Sequence, residues 1–525
     1  MSSYGVFLPE AILVATALAS AVLGFAWRKR PDLLWAFSVI GTGLAIFVTL
    51  DMMGLGIGRA LNLSVWPSPV GKEGDFAVEL KMRVDTFALF FQLMFQFVAF
   101  LAIVASRGFI HADEPHQGEY YALMLLAVVG MMFTAAATDL FVLFLAFETS
   151  SLSTFALVAF RKKDKQATEA AVKFFIIGAV SSGIILFGIS LIYGIAGTTS
   201  IGTTTTDLLV LRNGLTLAGH PEIEPPLIIA LVLLIAGFGF KVAVVPFHMW
   251  APDVYDGSPT PVTAYMASGV KAAAFAALFR VLGEAFPAVT AWHEIVWWLA
   301  VATMVVGNLI ALAQRAVKRM LAYSSVAHAG YLLVAVAAGP GPGSAAFLFY
   351  LVAYTLMTLG AFALLAAKGR HGERDVLIDD FAGLATRHPW LAFALAVCML
   401  SLLGFPGTAG FIGKWYILAA ATSAGQGVLA AALVLTSVIS AGYYLPVIMA
   451  MYMKPEPFAE AHVGMRLGRL GYAVVTVAVA GLLFFGVRPN RLLDLARTGG
   501  VAVQPAPGAT PAAPAVTAAH APTAR

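Results

Sequence analysis

The sequence predicts an all-α polytopic membrane protein with about fourteen transmembrane helices, and three observations support that fold class. Hydrophobic residues make up 60% of the chain and charged residues only 11%, whereas soluble globular domains carry about 25% charged residues. Apolar runs of about 20 residues, the length a helix needs to cross a bilayer, recur along the chain. The Lys and Arg residues gather mainly in the connections between those runs.

Reading the chain with that length predicts the spans in order, with span 12 interrupted. The connections 55–83 and 199–226 are predicted to be loops on the outer side, and residues 499–525, rich in Ala, Pro and Thr, a disordered tail. The predicted spans are 4–26, 33–54, 84–106, 120–137, 139–160, 167–196, 227–249, 260–283, 292–313, 320–338, 344–367, 389–421, 427–453 and 470–487.

Two interrupted helices suggest that the membrane region is built from repeated units. Pro246 breaks the apolar run that contains Lys241, and the segment after this break, APDVYDGSPTP at 251–261 with Asp253 and Asp256, is predicted to be a turn. The segment GFPGTAG at 404–410 breaks the run that contains Lys414. Interrupted helices at corresponding positions of two halves are typical of inverted-repeat transporters. We therefore predict discontinuous helices 7 and 12 within two inverted five-helix units. The predicted divisions are 1–119 (spans 1–3), 120–285 (spans 4–8), 286–455 (spans 9–13), 456–498 (span 14) and 499–525 (tail).

The distribution of positive charge predicts the orientation. Lys and Arg concentrate in the connections that follow odd-numbered spans, such as 28–30, 161–165 and 315–319. Short connections rich in Lys and Arg stay in the cytoplasm. We therefore expect a multi-pass protein of the bacterial inner membrane with both termini on the periplasmic side.

Cofactor chemistry on this chain is not expected. Its one cysteine, Cys398, excludes disulfides within the chain and cysteine-ligated iron–sulfur clusters. The sequence has no Gly-rich phosphate loop and no HExxH zinc motif. We therefore predict no bound cofactor, no metal site and no redox step on this polypeptide, and nothing in its modest net charge of +4 indicates a nucleic-acid partner.

Four ionisable residues at predicted bilayer depth are the main candidates for function: Glu148 in span 5, Lys241 in span 7, Lys271 in span 8 and Lys414 in span 12. A Lys at the centre of a membrane helix costs roughly 2.5–3.5 kcal/mol, so such residues usually have a role. A lysine, unlike an arginine, can release its proton. We expect Glu148 and Lys241 to form a proton-exchanging pair. The structural alternative for Glu148 is a hydrogen bond to a neighbouring helix. For Lys241, and similarly for Lys271, it is neutralisation of the helix break, and for Lys414 it is satisfaction of freed backbone carbonyls.

Three further residues are weaker candidates, and each has an alternative. Lys173, two turns into span 6, is either a relay member or an anchor that reaches the loop. His328 in span 10 is either a proton shuttle or a packed, hydrogen-bonded imidazole. His248, beside Pro246, is predicted near the cytoplasmic mouth. The candidates include no cluster of carboxylates, which argues against a sodium or calcium cage.

Four segments of the sequence carry a family resemblance. They are DLFVLFLAFETSSLSTFALVAF, GFGFKVAVVPFHMWAPDVYDGSPTPVTAYMASGVKAA, RMLAYSSVAHAGYLL and GFPGTAGFIGKWYIL. They resemble the antiporter-like membrane subunits of respiratory complex I, and most closely the subunit N group, whose mitochondrial counterpart is subunit 2. The resemblance covers roughly residues 5–485. It implies the fourteen-helix fold and assigns the proton relay to Glu148, Lys241, Lys271 and Lys414.

The resemblance implies a proton-translocating, non-redox subunit of an NADH:quinone oxidoreductase, a translocase. Its expected partners are a neighbouring antiporter-like subunit, small membrane subunits and the lipid bilayer. NADH, FMN, iron–sulfur clusters and quinone are expected on other subunits. The alternative is a subunit of a multi-subunit sodium/proton antiporter, which shares the fold.

Overall fold

The computed structural model describes residues 3–27, 30–55, 81–107, 116–201, 224–286, 289, 291–368, 376–455 and 467–501. Most of the predicted loops 55–83 and 199–226, and nearly all of the predicted tail 499–525, lie outside the described residues.

In the described part of the chain, 13 helices are long and apolar enough to cross a membrane. Span 12 is a further, interrupted crossing made of Pro389–Leu403 and Ala409–Ser423. The predicted all-helical fold with an interrupted span 12 is therefore confirmed. The other spans, in order, are Gly5–Ala26, Pro31–Met52, Thr86–Ser106, Gln117–Ala136, Leu140–Val158, Lys165–Ala196, Pro225–Val242, Thr260–Ala285, Ala291–Leu312, Val317–Ala337, Pro342–Ala366, Gly427–Met453 and Arg469–Val487.

Two segments are more helical than predicted. The segment after the break of span 7, predicted as a turn, contains the helix Trp250–Gly257, because Pro252 lies in its first turn, where proline is tolerated. A second helix, Asn490–Val501, follows span 14 and extends three residues into the predicted tail. Its buried Leu492 and Leu493 belong to the face that packs against spans 3 and 11.

The central spans are buried and the peripheral ones leave apolar faces uncovered. Span 8 is buried along its whole length, and spans 10 and 11 nearly so. Large apolar side chains such as Phe25 in span 1, Val180 in span 6 and Val438 in span 13 are exposed. Such faces suit the hydrocarbon of a bilayer, which makes the buried spans 8, 10 and 11 the interior of a multi-pass membrane protein.

The two five-helix units repeat one backbone hydrogen-bond pattern. Residues 138–140, between spans 4 and 5, pair with residues 199–201 after span 6, and residues 315–317, between spans 9 and 10, pair with residues 376–378 after span 11. Connections 4–5 and 9–10 lie on opposite sides of the membrane, because five crossings separate them. The bonds are Leu140 N–H to Thr199 O (2.8 Å), Ile201 N–H to Thr138 O (2.8 Å), Val317 N–H to Val376 O (2.8 Å) and Ile378 N–H to Arg315 O (3.1 Å).

Candidate functional site: a file of buried ionisable side chains

Glu148 and Lys241 meet between spans 5 and 7, as predicted. The Lys241 ammonium nitrogen lies 3.4 Å from Glu148 Oε1 and donates a hydrogen bond of 2.8 Å to Ser151 Oγ. Ser182 of span 6 donates to the same Glu148 oxygen at 2.5 Å. Lys241 Nζ also lies 4.7 Å from the centroid of the Phe147 ring. A buried ion pair is stable only when further hydrogen bonds satisfy both groups, and the two serines supply them.

The two members of this pair differ in exposure. The Lys241 side chain is 4% exposed and the Glu148 side chain 21%. Exposed apolar residues of span 5, Leu145 and Leu152, lie on either side of Glu148 in the sequence. The carboxylate is therefore the member of the pair that is closer to the surface of this chain.

The break of span 7 is held by side chains that satisfy its freed backbone groups. Span 7 ends at Val242, just after Lys241. Trp250 Nε1 donates to the carbonyl of Phe240 at 2.8 Å, and the N–H of Val245 donates to Thr303 Oγ1 at 3.1 Å. Non-helical backbone at membrane depth is stable only where protein or water satisfies it. The break therefore fixes Lys241 at the end of the helix.

Lys271 lies at the centre of the buried span 8. Its ammonium donates to the carbonyl of Ser325 at 2.8 Å and also to Ser325 Oγ. Span 8 is not a uniform α-helix, because π-helical segments at Met266–Val270 and Val281–Ala285 flank the Lys271 helix. π-Bulges are frequent at functional sites.

Span 10 presents three residues in a row towards the lysines. Ser325, His328 and Tyr331 are spaced by three residues and therefore form one row along the helix, in which each contacts the next. Ser325 binds Lys271. The Tyr331 ring centroid lies 4.5 Å from Lys414 Nζ. His328 thus lies between the residues that contact the two lysines.

Both ring nitrogens of His328 are hydrogen-bonded. Tyr350 OH lies 2.7 Å from Nδ1, and Tyr444 OH lies 3.1 Å from Nε2. Tyr444 in turn is hydrogen-bonded to Ser324. The imidazole is fully buried, and each tyrosine hydroxyl can both donate and accept a proton. The arrangement is a continuous hydrogen-bonded group on spans 10, 11 and 13.

Lys414 contacts backbone carbonyls across the break of span 12. Its ammonium donates to the carbonyls of Leu402 and Leu403, at 3.0 Å each. These carbonyls end the helix Pro389–Leu403, where the partial negative charge of a helix lies. The structural alternative considered for Lys414, neutralisation of freed carbonyls, therefore describes its contacts.

Lys173 and His248 lie away from the buried file of side chains that runs from Glu148 to Lys414. Lys173 is 44% exposed and pairs with Glu169 at 2.9 Å and with Asp253 at 3.0 Å. That position fits the anchor alternative and not a buried relay. His248 is partly exposed beside the break of span 7, and its Nδ1 has no hydrogen-bond partner. Asp253 belongs to the helix Trp250–Gly257 rather than to a turn.

The file has a gap and members that the sequence did not indicate. Among the described residues, no direct hydrogen bond joins Lys241 to Lys271. Ser182, Ser325, Tyr350 and Tyr444 were not predicted. The three-residue spacing in SSVAHAGY was a signal for Ser325, whereas nothing in the sequence marked the two tyrosines. Within the described residues, no group of three or more His, Cys, Asp or Glu could hold a metal ion.

Comparison with known proteins identifies the family. A model of the family described as NADH:quinone oxidoreductase/Mrp antiporter, transmembrane, matches residues 137–440. The NADH-quinone oxidoreductase subunit N of Trichlorobacter lovleyi is 41% identical over 94% of this chain and 96% of its own length.

Two solved structures have the same fold. A chain of respiratory complex I from Thermus thermophilus superposes with a TM-score of 0.75 and 34% identity, covering 93% of this chain and 99% of that one. A chain of the Mrp complex from Dietzia sp. DQ12-45-1b superposes with a TM-score of 0.79 over 94% of this chain and 97% of that one, and at 21% identity it shares the fold alone. The chain therefore belongs to the NADH:quinone oxidoreductase/Mrp antiporter family of membrane subunits, within its subunit N group.

Proposed function

We propose that this chain is the proton-translocating membrane subunit of a respiratory NADH:quinone oxidoreductase. Family membership and the multi-pass fold support this assignment. The observation that carries it is the face of span 10: Ser325 binds Lys271, Tyr331 lies against Lys414, and His328 between them is hydrogen-bonded at both nitrogens.

The second part of the proposal is the route of the proton. A proton reaches Lys271 from the cytoplasmic side, near the helix Trp250–Gly257. It passes along the hydrogen-bonded group around His328 to Lys414 and leaves on the outer side. Water completes the steps that the side chains do not span, as in other buried polar paths. The sidedness is inferred from the positions of Lys and Arg in the connections.

The Glu148–Lys241 pair is proposed as the switch of this route. A buried amine keeps its proton most firmly beside a carboxylate, so a change in the 3.4 Å separation changes the proton affinity of both groups. Glu148 is the more exposed member, and we propose that a neighbouring membrane subunit acts on it there. Quinone reduction elsewhere in the complex would thereby change the separation, and with it the proton affinity, of Glu148 and Lys241.

Three further statements belong to this proposal. The chain takes no part in electron transfer, and the cofactors lie on other subunits. Both termini face the periplasm. The units comprise residues 120–285 and 286–455, with 1–119 preceding them, a division supported by the repeated pairing of 138–140 with 199–201 and of 315–317 with 376–378.

The test is substitution of Glu148 in the intact complex. Glu148→Ala and Glu148→Gln are expected to reduce NADH-driven proton uptake into inverted membrane vesicles by about tenfold or more, because the positioned proton acceptor is lost. Assembly on a native gel is expected to persist. Glu169→Gln is the matched control, because Glu169 is an exposed carboxylate of span 6.

Normal proton uptake by both Glu148 variants would disprove the assignment of the switch. A dependence of proton movement on sodium, in the wild type, would favour the sodium/proton antiporter alternative instead.

A further inference from the structure

A buried polar pair joins spans 1 and 3, outside the two repeated units. Glu10 and Gln92 are 1% and 0% exposed. Gln92 Nε2 donates to Glu10 Oε1 at 2.6 Å. Glu10 lies five residues into the helical span that begins at Gly5, which is about 8 Å along it. A carboxyl group at that depth is expensive, and the proposed proton route does not include it.

One oxygen on each side of this pair lacks a partner. Glu10 Oε2 and Gln92 Oε1 are both buried without a hydrogen bond. Leaving a buried acceptor unsatisfied costs about 1–3 kcal/mol, and more when the group is charged. An acid and an amide that face each other can form two hydrogen bonds. When only one of them forms, each group is left with one oxygen that has no partner, as Glu10 and Gln92 are here.

Glu10 lacks a compensating positive charge within the residues that the structure describes. In the described part of the chain, Glu10 forms no ion pair with Lys, Arg or His. Spans 2 and 4 pack against span 1. The described residues of these two spans include no Lys or Arg, and Asp51, at the end of span 2 on the same side of the membrane as Glu10, is a further acidic group. An ionised Glu10 would be an isolated buried anion, which proteins avoid by neutralisation.

We propose that Glu10 binds a proton on Oε2 and is held as a neutral carboxylic acid by Gln92. The O–H donates to Gln92 Oε1 while Gln92 Nε2 donates to Glu10 Oε1, so one proton satisfies both remaining oxygens. Rotating the carboxamide by 180° would instead place two oxygens 2.6 Å apart, a contact that also requires a proton. Spans 1 and 3 therefore share a proton-binding site that is separate from the Glu148–Lys414 file.

The neighbouring turn of span 3 forms a second polar clamp. Gln96, four residues after Gln92, donates to Thr49 of span 2 at 2.9 Å. Span 3 is thereby tied to span 1 through a protonated acid and to span 2 through an amide. The bound proton ties span 1 to span 3, and this conclusion does not depend on the proposed pumping function.

Infrared difference spectroscopy on the purified complex at pH 7 tests the proposal. A protonated carboxyl group has a carbonyl stretch well separated from that of a carboxylate. Subtracting the spectrum of Glu10→Gln from that of the wild type should leave one protonated carboxyl band, which moves when glutamate is carboxyl-labelled with ¹³C. Glu119→Gln, which replaces a solvent-exposed carboxylate, should leave a carboxylate band instead.

A second variant examines the hydrogen bonds. Gln92→Leu should keep the protonated band and move it to higher frequency, because the carboxylic acid loses both partners. Glu10→Gln should keep the complex assembled on a native gel, because an amide preserves the pairing with Gln92. A carboxylate band in place of the protonated one, or a carboxylate band that responds to added sodium, would overturn the proposal.

Discussion

The two five-helix units carry different side chains at equivalent positions of their repeated backbone. Glu148 lies eight residues after the start of span 5, and Ser325 lies eight residues after the start of span 10. In the first unit the carboxylate faces Lys241 within the unit. In the second unit the serine instead binds Lys271, which belongs to the first. The first unit thus has an internal charge pair, whereas the second receives a lysine across the boundary between the units.

The broken helices differ in a related way. Lys241 precedes the break of span 7, and Lys414 follows the break of span 12. Both ammonium groups nevertheless lie near the end of the first half-helix, because Lys414 reaches back to the carbonyls of Leu402 and Leu403. Lys241 is balanced by a carboxylate and Lys414 by a helix terminus. We conclude that Lys414 has a structural role, the satisfaction of carbonyls at a helix end, that Lys241 lacks.

The largest expected effect separates these two lysines. Lys414→Ala leaves the buried carbonyl of Leu402 and the partly buried carbonyl of Leu403 without this donor, which should destabilise the subunit by about 2 kcal/mol and abolish pumping. Lys241→Ala should abolish pumping with much less loss of stability, because Glu148 is partly exposed and keeps Ser182 as a partner. The measurements are thermal denaturation of the purified complex and its yield on a native gel.

Lys414→Arg is the control that separates the structural role of Lys414 from its role in proton transfer. A guanidinium still donates to the two carbonyls but does not release its proton. The complex should therefore assemble and fail to pump. Equal yields of the Lys414→Ala and Lys241→Ala complexes would contradict the structural role assigned to Lys414.

The sequence predicted the charged side chains of the site better than the neutral side chains that hydrogen-bond to them. Glu148 and Lys241 are conspicuous because an ionisable side chain in an apolar helix is costly. Ser325, Tyr350 and Tyr444 are ordinary residues of membrane helices, and only the tertiary packing of spans 10, 11 and 13 brings them to Lys271 and His328.

The fold was predicted more completely than the details of the breaks. Apolar length alone determines the number and order of spans. The helix Trp250–Gly257 was read as a turn because Pro252 and Gly257 are turn residues in most contexts. Tertiary packing stabilises the helical form of this segment, since Trp250 and Tyr255 are buried and Trp250 donates a hydrogen bond to the carbonyl of Phe240.

An intermediate effect is expected at His328 and its two tyrosine partners. His328→Phe removes both hydrogen bonds to Tyr350 and Tyr444 and should reduce proton uptake by about 100-fold, the lower end of the range for a lost proton-transfer group, with assembly retained. Tyr444→Phe should have a smaller effect of the same kind. Tyr452→Phe is the matched control, because Tyr452 is an exposed tyrosine of the same span. Unchanged proton uptake in His328→Phe would remove the imidazole from the route.

The smallest expected effect concerns the start of span 5, where the units differ again. Asp139 accepts hydrogen bonds from the N–H groups of Phe141 and Val142, at 2.9 and 3.2 Å, and from Lys81 and Thr199. At the same position of the second unit, Ala316 has no side chain that could cap span 10. Burial raises the pKa of Asp139, but the hydrogen bonds from Lys81 and Thr199 outweigh it, so the pKa lies below its ordinary value.

Because folding lowers this pKa, the stabilisation by Asp139 is complete above the unfolded value near 3.8 and is lost only as the pH falls through the folded value. Amide exchange of Phe141 and Val142, corrected for intrinsic rates, should therefore show constant protection between about pH 5 and 8. Asp139→Ala should accelerate it about fivefold, since an N-cap contributes roughly 1 kcal/mol. Ala316→Asp should slow exchange in the first turn of span 10. Protection that changes between pH 5 and 8, or that is unaltered in Asp139→Ala, would show that the carboxylate does not hold this helix start.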